Sequence, residues 1–227
     1  MARLPRLVVP GEAHYLILRA HSGLGTAGAL GLCADATDRS SCMTALQEAA
    51  AAERVQIHAY ALLPTELHLL ATPERATGLS RLVQALGRRY GSTYNRRHGR
   101  RGTLWDGRYR CAVVEPGATR LNVLRLIDGL SPEAGITSAG PHTGGTRDAL
   151  LRDLPEIWAL GNTPFEREAA LRTLLAQGLA PAVADGLRQS ALGGWAAGSS
   201  AFAARVAQAS ARPASPRPRG RPRTTPA

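Results

Sequence analysis

Arginine is interleaved with aromatic residues along one segment of this sequence, and both residue types can contact a nucleic acid. The segment holds Arg88, Arg89, Arg96, Arg97, Arg100, Arg101, Arg108 and Arg110, with Tyr90, Tyr94, Trp105 and Tyr109 among them. Guanidinium groups neutralise phosphates and bond them in bidentate fashion, and aromatic faces stack on unpaired bases. The combination reads as a nucleic-acid contact surface. For Trp105 a core anchor is an equal alternative, and Tyr90 and Tyr94 fit packing better than catalysis. His58 reads as a strand residue facing a helix, His98 as a group closing an arginine-rich helix, and His14, His21 and His142 show no ligand spacing.

A second basic element ends the chain. Pro218-Arg219-Gly220-Arg221-Pro222 matches the core of an AT-hook, in which an extended Arg-Gly-Arg enters a narrow A·T minor groove. General phosphate affinity through Arg219 and Arg221 is the plainer alternative.

The charge distribution supports a polyanionic partner. The 227-residue chain carries a formal net charge of +11. Between Arg81 and Arg110 stand nine arginines and one acid, Asp106, and from Arg205 onward six arginines and no acid. All 28 basic residues are arginines, a choice that also reflects a GC-rich coding bias. No apolar run is long enough for a membrane span, and the first residues lack the apolar stretch of a secretory signal. Cys33, Cys42 and Cys111 form no CxxC pair and fit a reduced, cytoplasmic setting.

Periodicity predicts the elements that position these residues. His14 to Ala20 reads as a strand, 38–52 as a helix, and 55–63 as an alternating strand with Val55, Ile57, Ala59, Ala61 and Leu63 on one side. Pro64-Thr65 breaks it, and 66–72 returns as an antiparallel neighbour. A helix follows over 79–98, with Leu79, Leu82, Val83 and Leu86 as its apolar stripe. A strand over 103–114 and a helix over 118–128 complete a β-α-β-β-α-β-α order. This predicts an α+β domain over 1–136, an antiparallel sheet with packed helices. A separate helical extension is expected over 137–211, with a capping box at Thr163-Pro164-Phe165-Glu166, and a disordered basic tail over 212–227.

Several segments resemble the REP-associated tyrosine transposases, single-tyrosine members of the HUH nuclease group. They are His58-Ala-Tyr-Ala-Leu-Leu-Pro-Thr-Glu-Leu-His-Leu-Leu70, Asn95-Arg-Arg-His-Gly99, Gly102-Thr-Leu-Trp-Asp-Gly-Arg-Tyr109, Trp158 to Glu168, and Gly194-Trp-Ala-Ala-Gly198. The resemblance implies a ferredoxin-like HUH fold and a particular chemistry. Two imidazoles on one strand face hold a divalent metal against the scissile phosphate, and a tyrosine from a later helix attacks it. The matching strand positions here are Glu66 and His68, so one imidazole is a carboxylate. Glutamate can ligate Mg²⁺ or Mn²⁺, which implies metal binding weakened or lost. In Arg125-Leu126-Ile127-Asp128, Leu126 stands at the nucleophile's position, and no tyrosine follows Tyr109.

The sequence therefore predicts a bacterial, nucleoid-associated DNA-binding protein of transposase type. It would recognise single-stranded or hairpin DNA, A·T-rich duplex through its tail, and no longer cleave; a homodimer is allowed. One alternative is an active transposase using Glu66, His68 and a displaced nucleophile. The other is a repressor or chromatin-type protein working through its arm.

Overall fold

The computed structural model describes residues 5–24, 31–130 and 135–216. In these the elements run β1 (His14–Arg19), α1 (Ala36–Glu53), β2 (Val55–Leu62), β3 (Glu66–Pro73), α2 (Gly78–Arg97), β4 (Arg110–Val114) and α3 (Ala118–Asp128). There follow β5 (Ile136–Thr137), α4 (Ala139–His142), α5 (Pro155–Trp158), α6 (Pro164–Gln177), α7 (Pro181–Gly193), β6 (Ala196–Ala197) and α8 (Ser200–Ser210). The class is α+β. One mostly antiparallel sheet has the strand order β5-β2-β3-β1-β4-β6, and only β4 and β6 pair in parallel. No described helix is long and apolar enough to cross a membrane.

Helices cover both faces of the sheet, so its central strands are buried on both sides. On one face Leu16, Leu18, Leu67 and Leu69 pack with Leu46 of α1 and Leu79, Leu82 and Leu86 of α2. On the other, Tyr15, Ile17 and Leu70 pack with Val123, Leu126 and Ile127 of α3 and with Leu171 and Leu187 of α6 and α7.

Four sequence expectations need correction. The side assignment along β2 fails at a β-bulge, because Ile57 pairs with Ala71 and Ala59 with Leu70, leaving His58 as the extra residue. Parity flips there: Val55, Ile57, Tyr60 and Leu62 face α1 and α2, whereas Ala59 and Ala61 face α3. The strand expected from 103 begins only at Arg110, because Gly102 and Gly107 adopt φ values of +90° and +66° that break extended backbone.

The region after 136 is helical but not separate. Its β5 and β6 are the two edge strands of the sheet, and α7 packs on β1 and β4. The Gly194-to-Gly198 motif explains itself here. Gly194 is the left-handed cap of α7 (φ +72°), and a Cβ on Gly198 would lie 2.5 Å from the Cβ of Glu115. Residues 212–216 lack regular secondary structure but are packed, against the expected disorder from 212: the Arg212 guanidinium donates to the Gly194 carbonyl at 2.9 Å, and Ala214 is buried. The AT-hook-like segment, with Arg219 and Arg221, lies outside the described residues.

Candidate functional site

Period two places Glu66 and His68 on the same face of β3, the face covered by α3 and α7. His68 is fully buried beside Tyr15, whose hydroxyl lies 2.9 Å from Nδ1. Nε2 lies 2.9 Å from Oε2 of Glu66. A carboxylate can only accept, so Nε2–H donates to Glu66 and Nδ1 accepts from the Tyr15 hydroxyl. Burial pulls the His68 pKa below its ordinary value, which keeps the ring neutral, and the contact with Glu66 is a hydrogen bond more than an ion pair. Glu66 is pulled down to about 2, chiefly by the bond from His68 and further by Arg188.

Two guanidiniums complete the cluster. Arg19 Nε donates to Glu66 Oε1 at 3.2 Å, and Arg188 of α7 donates to Oε2 at 3.0 Å. A divalent metal fits this arrangement poorly. Both carboxylate oxygens and both ring nitrogens are engaged, two fixed positive charges adjoin the carboxylate, and among the described residues no group of three His, Cys, Asp or Glu side chains could hold an ion.

Leu126 lies in the apolar cluster that also contains Tyr15, Ile17 and Leu70, on the side of the sheet that bears His68. Its helix is held at both ends. At the start, Glu156 accepts from the Gly117 N–H at 2.7 Å and pairs with Arg120, which also pairs with Glu12. At the end, Asp128 accepts from the Ser138 hydroxyl and from His142 Nδ1 at 2.6 Å. Arg125 reaches outward and donates to the carbonyls of Leu174 and Gly178, capping the end of α6.

The basic segment divides into two populations. Arg88, Arg96, Arg101, Arg108 and Arg110 are exposed. With Arg89 and a row of hydroxyls from Ser40, Ser41, Ser92 and Thr93, Arg88 lines a groove of about 610 Å³ between α1 and α2. Arg89 pairs loosely with Glu48 at 3.5 Å. Arg97 is committed to the fold, bridging Asp35 and the buried Asp38, which also receives His98. Arg100 lies 6.0 Å from the centre of the Tyr94 ring.

The aromatic residues do not form a stacking platform. Tyr90, Tyr94, Trp105 and Tyr109 are 1%, 0%, 8% and 6% exposed, so their faces contact the α1–α2 core and not solvent. The Tyr90 and Tyr94 hydroxyls donate to the backbone carbonyls of Leu32 and Gly31. The reason is spacing: residues 79, 82, 86, 90 and 94 recur at helical period, so both tyrosines continue the apolar stripe of α2.

Sequence reasoning missed Arg19, Arg188 and Tyr15 at the Glu66 cluster and the Asp128–Ser138–His142 group. Long separations, 122 residues for Arg188 and Glu66, leave no local signal. His58 holds the loop after α4: Nδ1 lies 2.6 Å from the Arg152 carbonyl and Nε2 2.9 Å from the Thr72 hydroxyl.

No protein-family model and no curated protein matches the sequence. Among solved structures, the chain is similar to a REP-associated tyrosine transposase bound to a REP hairpin. The identity is 15%, over 56% of this chain and 71% of that one, with a TM-score of 0.43. It is also similar to a crystal structure from Deinococcus radiodurans R1, provisionally named a transposase. There the identity is 19%, over 51% of this chain and 88% of that one, with a TM-score of 0.37.

Proposed function

We propose that the chain is a transposase-type protein that binds single-stranded or hairpin DNA without cutting it. The observation that carries the reading is the hydrogen-bonded series Tyr15–His68–Glu66–Arg188 on the sheet face that also packs Leu126. At the position the motif resemblance gives to the nucleophile stands a hydrocarbon, and where it implies a metal stands a guanidinium-neutralised carboxylate. The tyrosines offer no substitute: all five are buried, the Tyr15 hydroxyl is taken up by His68, and the hydroxyls of Tyr90 and Tyr94 are spent on backbone carbonyls on the opposite face. Burial also raises both phenol pKa values, the reverse of what a nucleophile needs.

DNA binding is supported by the exposed arginines of α2 and of the loop that follows it. Arg88, Arg96, Arg101 and Arg108 have no ion-pair partner among the described residues and stay available to phosphates. Mg²⁺ and Mn²⁺ have no role in this reading. The test is affinity for hairpin, single-stranded and duplex DNA across a salt series, for the unaltered chain and for a variant with Arg88, Arg96, Arg101 and Arg108 replaced by Ala. The variant should lose hairpin binding. If it binds normally while removal of residues 213–227 abolishes binding, the arm is the reader and the repressor reading replaces this one.

A further inference from the structure

A cleft of about 840 Å³ opens where the loop after α4 meets α5 and the first turns of α6, within the size range of small-ligand sites. It shares no residue with the Glu66 cluster or with the arginine groove. Four features of its lining call for one ligand. Trp158 is 58% exposed, an unusual placement for an indole, with the Arg167 guanidinium 4.2 Å from the ring centre on one face. Arg147 is exposed and has no ion-pair partner among the described residues. His142 is buried, with Nδ1 bound to Asp128 and Nε2 left without any hydrogen-bond partner. Asp153 and Glu168 add carboxylate acceptors.

The geometry points to this cleft as a binding site for a nucleoside monophosphate. Such a ligand has a flat π-face for the Trp158–Arg167 pair, a polar base or sugar edge for His142 and the carboxylates, and an anionic group for Arg147. A sugar would leave Arg147 unused, and a bare anion would leave Trp158 and His142 unused. The charge count sets the phosphate number. Arg147, Arg152 and Arg167 are matched in number by Asp148, Asp153 and Glu168, so the lining is close to neutral and favours one phosphate over three. Asp148 is moreover held in place by the Tyr60 hydroxyl at 2.8 Å, which fixes that wall.

Calorimetry of the full chain with dAMP, dGMP, dCMP, dTMP, dATP and inorganic phosphate tests the site. At least one monophosphate should bind with one-to-one stoichiometry, and inorganic phosphate should not. Trp158→Ala and Arg147→Ala, both at exposed positions, should each weaken binding tenfold or more without lowering Tm. A 5′-phosphorylated tetranucleotide separates the two sources of such a ligand. Binding more than tenfold tighter than its monophosphate, and lost in the same variants, assigns the cleft to the end of a strand; equal binding assigns it to a free nucleotide. Binding of none of these probes, binding that both variants retain, or a triphosphate preferred over its monophosphate would overturn the assignment. The arginine groove is untouched by both variants, so hairpin affinity, measured in parallel, reports on the proposed function separately.

Discussion

The Arg188 guanidinium lies 3.0 Å from the Glu66 carboxylate, joining a helix near the end of the chain to the strand at the centre of the sheet. With Arg19 on the other oxygen, the carboxylate is held by groups that compete directly with a cation. The carboxylate and the two arginines therefore form one arrangement, in which the guanidiniums balance the charge of Glu66.

Removing that competition should permit metal binding. The unaltered chain is expected to show no Mn²⁺ binding at millimolar metal, measured by calorimetry or by the loss of free-ion EPR signal. Glu66→His combined with Arg188→Ala supplies a second imidazole and removes the nearest fixed charge, and should bind Mn²⁺ measurably. Equal binding by both proteins would contradict the account of the site.

Arginines of α2 should separate by their partners. Arg96→Ala should leave Tm unchanged and reduce the salt slope of DNA binding by about one. Arg97→Ala strips the buried Asp38 of a charged partner and should lower Tm by several degrees. Tm matching between the two variants would show that the Arg97 pairs contribute nothing.

The tyrosines of α2 should matter to stability and not to DNA. Tyr94→Phe removes one hydrogen bond, to the Gly31 carbonyl, at a cost of about 1 kcal/mol. Hairpin affinity of the folded variant should be unchanged; a tenfold loss would return Tyr94 to the DNA surface.

Acid should destabilise the fold through buried neutral histidines. His14 accepts from the Val9 N–H and lies 2.8 Å from the Glu12 carbonyl, and burial lowers its pKa from 6.5 to about 4. His58 is shifted in the same direction, also by burial. Between those pH values the unfolded chain binds the proton and the folded chain does not. Stability therefore falls as pH drops from 6.5 towards 4 and levels off below, by about 3 kcal/mol for His14. The difference in urea unfolding free energy between the unaltered chain and His14→Gln should narrow across that window. A difference independent of pH would refute the assignment.

How far the sequence could be read depends on the range of the forces involved. The order of elements through α3, the antiparallel β2–β3 pair and the Thr163–Glu166 capping box were legible, because periodicity and caps act within a few residues. The bulge at His58 was not, since an inserted residue leaves alternation intact on each side and changes only its phase. Interleaved aromatics suggested stacking on bases, yet the same residues at period 3.6 serve a core equally well, and burial decides between the two. Glu66 and His68 were placed on one face by strand geometry alone. Their neighbours Arg188, Arg19 and Tyr15 came from other elements, and nothing in local sequence announces a contact made only by folding.

A covalent-adduct assay separates a chain that cuts DNA from one that only binds it. Purified chain is incubated with hairpin and single-stranded DNA in Mn²⁺ or Mg²⁺, then resolved under denaturing conditions. No protein–DNA band is expected from the unaltered chain, because Leu126 has no atom that can attack phosphorus and all five tyrosines are buried. Leu126→Tyr with Glu66→His and Arg188→Ala should produce a weak band if the face is otherwise intact. A covalent band from the unaltered protein would contradict the account.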